Sequence, residues 1–259
     1  MQKLNITKLV NIIILLAIAI FIAACSNLKS FEPKNAEEAF NEGMRLFNNK
    51  DYLEAQTFFD MIKLQYPASN YADDAQYYLA EIYFKRKEYI LASFNYNRLK
   101  SMYPGSEYAK ISHYKSGYSQ YLLSPSAEKD QDYTKRAIKT FQEFQFYYPE
   151  KDSLYENASK FIQELRNKLG EKEFKIAELY KTLESPHSAL IYYDSVINDY
   201  EDTSFFEPSI VGKIEVLLIM GRKEEANIAI GTYNRLFPNG QYKSHIEKLL
   251  ATQEKKEQE

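Results

Sequence analysis

One residue stands apart for the chemistry it could do. Cys25 is the only cysteine of the 259 residues, and it follows Ala23 and Ala24 at the end of an apolar run. A thiol behind small residues is open to an enzyme that alkylates it, and a lone thiol in an oxidising compartment is a liability unless it is capped. The other chemically able residues do not assemble. His113, His187 and His245 are too far apart for a local metal motif, so no metal is expected. There is no glycine-rich phosphate loop and no nucleophile elbow to place a serine beside a base, so the chain reads as a non-enzyme without a cofactor. With 33 basic and 36 acidic side chains, a formal charge of −3 and no clustered basic stretch, no nucleic-acid partner is expected either.

The segment before Cys25 explains what the thiol is for. Met1 to Lys8 carries two lysines, and Leu9 to Ala24 is apolar but for Asn11, which is the pattern of a secretory signal. The uninterrupted stretch from Ile12 to Ala24 is 13 residues, short of the roughly 20 that span a bilayer. Ile22, Ala23, Ala24 and Cys25 resemble a bacterial lipobox, in which the thiol receives a diacylglyceryl group. Residues 1–24 are then the signal peptide, Cys25 the lipidation site, and 25–35 a short polar tether. Ser26 lacks the acidic residue that retains such proteins at the inner membrane, which points to an outer-membrane anchor facing the periplasm. A multiply acylated cysteine anchors stably where one chain does not. Removing Lys3 and Lys8 with the signal shifts the formal charge to −5.

Residues 36–251 repeat. Five segments register on Ala55, Ala92, Ala137, Ala189 and Ala226, spaced 37, 45, 52 and 37 residues apart. Bulky residues follow at offsets 4 and 7, and Tyr66, Tyr103, Tyr148, Tyr200 and Phe237 at offset 11. Offsets of 0, 4, 7 and 11 mark one helix face. Pro67, Pro104, Pro149 and Pro238 come next and stop the helix, with Glu201 in the remaining place. Gly43, Ala80 and Ala177, each twelve residues before an alanine, mark a preceding helix. Asn35 with Glu38, and Asp51 with Glu54, have capping-box spacing. The fold class expected is all-α, a right-handed α-solenoid of about five tetratricopeptide-like helix pairs. The longer spacings predict a loop around Leu122 to Asp132 and a lengthened helix from Leu154 to Leu183, and the polar tail 252–259 reads as disordered.

The third-to-fourth repeat stretch contains Arg136, Ala137, Phe141, Phe144, Tyr148, Pro149, Tyr155, Ala158, Leu165, Leu169, Glu173, Ala177 and Tyr180, followed by Asp199, Tyr200, Asp202 and Thr203. With the lipobox and the five repeats, this order resembles the BamD family, lipoproteins of the outer-membrane β-barrel assembly machine. Glu201 and Gly170 depart mildly from the family's proline and alanine. The resemblance implies a periplasm-facing scaffold that binds a BamA-like barrel insertase, other assembly-complex subunits and unfolded outer-membrane proteins, whose C-terminal signal it helps receive. The alternative is another periplasmic repeat lipoprotein, an adaptor for the envelope or for cell division. Such adaptors carry sustained heptads before the repeats, and Ser26 to Asn35 is too short for them.

First helices of the pairs should line a groove. The register places Phe40, Met44 and Phe47, then Tyr77, Glu81 and Phe84, then Tyr114, Tyr118 and Tyr121 along it. Phe40 and Met44 stand where a carboxylate-clamping repeat would need Lys and Asn, so that clamp is not expected. An aromatic groove suits an extended peptide with alternating side chains.

Overall fold

A computed structural model describes residues 13–14 and 32–258, with backbone only for 254–258. The described residues form eleven helices and no strand. They fall into two compact units, Met1–Tyr71 and Ala72–Glu259.

In the first unit, α1 (Ala36–Asn48) and α2 (Tyr52–Gln65) pack as one pair. Ala39, Ala55, Phe59 and Ile62 are wholly buried between them. A Cβ on Gly43 would sit 2.9 Å from the Phe59 ring, so the small residue of the first helix is what lets the aromatic at offset 4 of the second lie flat against it. Asn35 caps α1 by accepting from the Glu38 amide at 2.9 Å, while the Glu38 carboxylate accepts from Lys34 N–H at 2.9 Å rather than from Asn35. The second expected capping box does not form, because Asp51 makes no side-chain cap. Its amide is taken by the turn instead: Asp51 N–H reaches the Leu46 carbonyl and Lys50, at φ 68°, bonds Phe47. This is the Schellman closure of α1.

The second unit repeats this plan. Its helices are α3 (Ala72–Lys85), α4 (Tyr89–Met102), α5 (Ala109–Leu123), α6 (Asp132–Tyr147), α7 (Ser153–Thr182), α8 (Pro186–Asp199), α9 (Phe206–Ile219), α10 (Lys223–Leu236) and α11 (Lys243–Gln258). They form four pairs with α11 after the last. The register alanines Ala92, Ala137, Ala189 and Ala226 are fully buried. The same turn with one left-handed residue joins three of these pairs, through Lys87, Glu184 and Gly221. Between α5 and α6 it is replaced by the expected inserted loop, which α7 clamps with three lysines: Lys168 to Ser124, Lys172 to the Lys129 carbonyl and Lys175 to Glu128, at 2.7, 2.9 and 2.5 Å. The lengthened helix is α7, 30 residues or about 45 Å long, capped at Asp152 by bonds from the Leu154 and Tyr155 amides.

Proline follows the end of four second helices but is not required to end one. Tyr103, Tyr200 and Phe237 all leave the helix near φ −130°, although Glu201, not proline, follows Tyr200. A bond from Thr203 N–H to the Tyr200 carbonyl closes that turn just as Ser106 closes on Tyr103. The tail differs from expectation, since α11 is helical to Gln258. Its Glu, Lys and Gln are good helix formers, and Ile246 is buried in the last core, which fixes the start of the helix.

Candidate functional site

The nine groove positions separate into three kinds. In the first unit Phe40, Met44 and Phe47 are half-buried on α1. Phe40 stacks on Tyr71 at 5.1 Å and Phe47 tilts against Tyr52 at 5.7 Å, so these rings partly cover their own pair.

In the second unit the rings of three first helices meet. On α5, Tyr114, Tyr118 and Tyr121 stand at offsets 0, 4 and 7, on one face, and all three are half-buried over the core around Phe141 and Phe144. Phe84 of α3 approaches Tyr118 at 5.9 Å, and Phe161 of α7 approaches Tyr118 at 5.3 Å and Tyr121 at 4.4 Å. Tyr77 lies about two helical turns before Phe84 on α3, stacked on Tyr108 at 4.2 Å. The result is a strip of half-exposed rings running across α3, α5 and α7. The Tyr121 phenol donates to Glu164 at 2.7 Å, and that bond, with burial, pushes its pKa up to about 12.

Glu81 does not line the strip as the register suggested. It is 7% exposed, below the rings, where it accepts from the Tyr96 hydroxyl at 2.5 Å and pairs with Lys115. A carboxylate so buried requires a cation and donors around it. Burial, then the Glu81 charge, raise the Tyr77 and Tyr96 phenols well above their ordinary value, so both remain protonated donors. The Lys115 ammonium sits 5.6, 5.8 and 5.9 Å from the ring centres of Tyr77, Phe84 and Tyr96, a cation–π cage. Lys115 and Phe161 fall outside the nine register positions because Lys115 is not a ring and Phe161 belongs to the fourth pair. Lys115 neighbours Tyr114 and precedes Tyr118 by three residues, which was the available signal.

Repeats four and five carry the same tyrosine–carboxylate contact with a different cation. The Tyr193 hydroxyl donates to Glu178, 15 residues before it, just as Tyr96 lies 15 after Glu81. Nineteen residues after each tyrosine stand Lys115 and Gly212. A Cβ on Gly212 would collide with the Tyr193 ring. There the cation is Lys181, from the carboxylate's own helix, 2.8 Å from Glu178 and 3.1 Å from Glu215.

Half-open clefts lie elsewhere, between successive second helices. One, of about 360 Å³, is lined by Lys100, Pro104, His113, Tyr147 and Tyr148. Another, of about 250 Å³, is lined by Ile197, Phe206, Ile210, Ile228 and Leu236. Among the described residues no group of side chains could hold a metal ion, and no helix is long and apolar enough to cross a membrane. Cys25, the expected lipidation site, lies outside the described residues.

A family model described as "Outer membrane lipoprotein" (YfiO) matches residues 32–232, which run from before α1 into α10 and include the aromatic strip. The chain belongs to this family. It is similar to the outer membrane protein assembly factor BamD of Rickettsia prowazekii (strain Madrid E), with 23% identity over 249 residues, covering 95% of this chain and 98% of that one. The resemblance carried by the third and fourth repeats is thus borne out at the level of the family. Among solved structures the chain is similar to a tetratricopeptide repeat protein of Parabacteroides merdae ATCC 43184, at 17% identity, 89% coverage of both chains and a TM-score of 0.42. A thermophilic tetratricopeptide repeat protein of Thermus thermophilus matches at 17% identity over 84% of this chain and 100% of its own, with a TM-score of 0.36.

Proposed function

We propose that this outer-membrane lipoprotein family member is a lipid-anchored scaffold of the β-barrel assembly machinery, held to the bilayer through Cys25. It binds the barrel insertase and other subunits of that complex, and it receives extended segments of unfolded outer-membrane proteins along its aromatic strip. The similar Rickettsia protein is named an assembly factor, and it matches this chain over nearly its whole length. The observation that carries the binding role is the strip itself: half-exposed rings contributed by α3, α5 and α7, within reach of one another. Extended peptides are recognised by such surfaces through alternate side chains that drop between rings.

The anchor and the partner are tested separately. Labelling cells with a radioactive fatty acid should mark the parent and leave the Cys25→Ala variant unmarked. Equal labelling of both defeats the anchor. Affinity purification of the full chain from a detergent extract should recover a barrel insertase as the main partner. If some other envelope protein dominates the eluate, the assembly role fails whatever the strip binds.

A further inference from the structure

The strip has one feature that an apolar peptide alone does not need. The Lys115 side chain is 23% exposed, while that of its partner Glu81 is 10% exposed. The pair is neutral in sum but unevenly exposed: its carboxylate, to which Tyr96 and Tyr77 also donate, belongs to the more buried side chain, and its ammonium lies among the rings of Tyr77, Phe84 and Tyr96. A segment lying on the rings therefore meets the positive end of a dipole whose negative end is shielded. Ring faces around the ammonium and the Glu81 bond hold it in place, so a partner does not have to order a mobile lysine first.

We propose that Lys115 sets which segments the strip accepts, by receiving an acidic side chain from the bound segment at the level of Tyr77 and Phe84 and disfavouring a basic one there. This rests on the reading of the strip as a site for protein segments. Repeats four and five show that the cation is no by-product of the fold. They keep the tyrosine–carboxylate contact yet place Gly212 at the equivalent position and draw their lysine from α7, where it bridges Glu178 and Glu215. A cation projecting from the following first helix is thus an addition to the device in repeats two and three.

Two synthetic peptides test this, both of alternating tyrosine and glutamine with blocked ends, one with a central glutamate and one with a central lysine. With the full lipidated chain in detergent micelles, fluorescence anisotropy should show the glutamate probe binding about 10-fold tighter at low salt, a gap that shrinks by more than half at about 0.5 M salt. Lys115→Arg should preserve the gap. The double variant Glu81→Gln with Lys115→Met, which removes both charges together and so leaves no unpaired ion, should abolish it while both probes still bind. Equal affinity of the parent for the two probes, or a gap that survives the double variant, overturns the role of Lys115 and leaves the strip standing. Failure of both probes to bind the parent overturns the strip and the role together. A merely structural Lys115 would shift both probes alike.

Discussion

Repeats two and three and repeats four and five share one backbone plan and solve its interior differently. Around α9 the space between pairs is filled with hydrocarbon: Ile210, Val211, Ile214, Val216 and Leu217 are buried together with Tyr193 and Tyr233. The seam between α4, α5 and α6 is polar. Ser93 meets Ser116 at 3.0 Å, Gln120 donates to Ser93 at 3.0 Å, and Thr140 donates to Gln120 at 2.8 Å, all buried. Gln76 reaches Asn95 across the neighbouring interface at 2.9 Å. Buried hydroxyls and amides contribute only when each finds a partner. The two halves therefore share a helix register and differ in what holds them. That register specifies where helices stand, while the residue at each register position decides whether the surface above them is apolar, aromatic or charged.

The sharpest way to break this comparison is to move the cation across it. Gly212→Lys would place in repeats four and five what Lys115 places in two and three. Tyr193 is wholly buried and its ring fills the space a side chain would need, so the substitution should cost about 3 kcal/mol. Urea denaturation measures it; a midpoint equal to the parent's would mean the two positions are interchangeable.

Next in size is removal of each cation in place. Lys115→Met strands the buried Glu81 and should cost about 2 kcal/mol, below the value for a fully enclosed pair because Lys115 keeps some contact with water. Lys181→Met should cost under about 1 kcal/mol, since Glu178 and Glu215 are 39% and 20% exposed at their side chains and Glu215 retains His245 at 2.5 Å. Parallel melting curves decide it. Equal losses would show that exposure of the carboxylate is irrelevant here.

A difference that depends on pH separates these two clefts between second helices. His113 in the first stands where Ile210 stands in the second. Burial, then the Lys100 charge, hold its pKa down to about 4, so the folded chain keeps it neutral. The unfolded chain takes up that proton near pH 6.5. Stability from this site is therefore full above about pH 6.5, declines as pH falls, and levels off below about pH 4. His113→Ile should remove that part of the decline, read as the difference between parent and variant in denaturation midpoints across the range. Carboxylates titrate in both proteins and cancel. Parallel pH profiles would show that the imidazole does not titrate differently on folding.

How much of this was legible in the residues follows from the range of each interaction. The alanine register held at all five positions because helix packing repeats with a local period, and each of those alanines is fully buried. The inserted loop and the long α7 followed from the spacing between them. The capping pair at Asp51 and Glu54 misled because four-residue patterns do not show that the amide is already committed to the preceding turn. Glu81 misled for a longer-range reason. Its partners Tyr96 and Lys115 lie 15 and 34 residues away, on two other helices, and no periodicity along one helix reports them. The strip could be found by residue type, whereas the pairing of Lys115 with Glu81 across helices could not.

The smallest expected effect concerns the turns inside the pairs. Lys50, Lys87 and Glu184 adopt φ of 68°, 63° and 52°, while Gly221 at φ 70° serves the same turn in the last pair. In that conformation an L side chain crowds its own carbonyl, which glycine avoids. Glycine also has more freedom to lose on folding, so the two effects partly oppose, and relief of the crowding is the larger at a left-handed cap. Lys87→Gly should raise stability by about 0.5 kcal/mol, and Gly221→Lys should lower it by a similar amount. Opposite signs at equivalent turns would isolate the backbone from everything that distinguishes the two halves, because neither side chain would enter the polar seam or the apolar core. If both substitutions destabilise, Lys87 contributes a contact that outweighs its strained backbone, and the turns differ between the halves as the cores do.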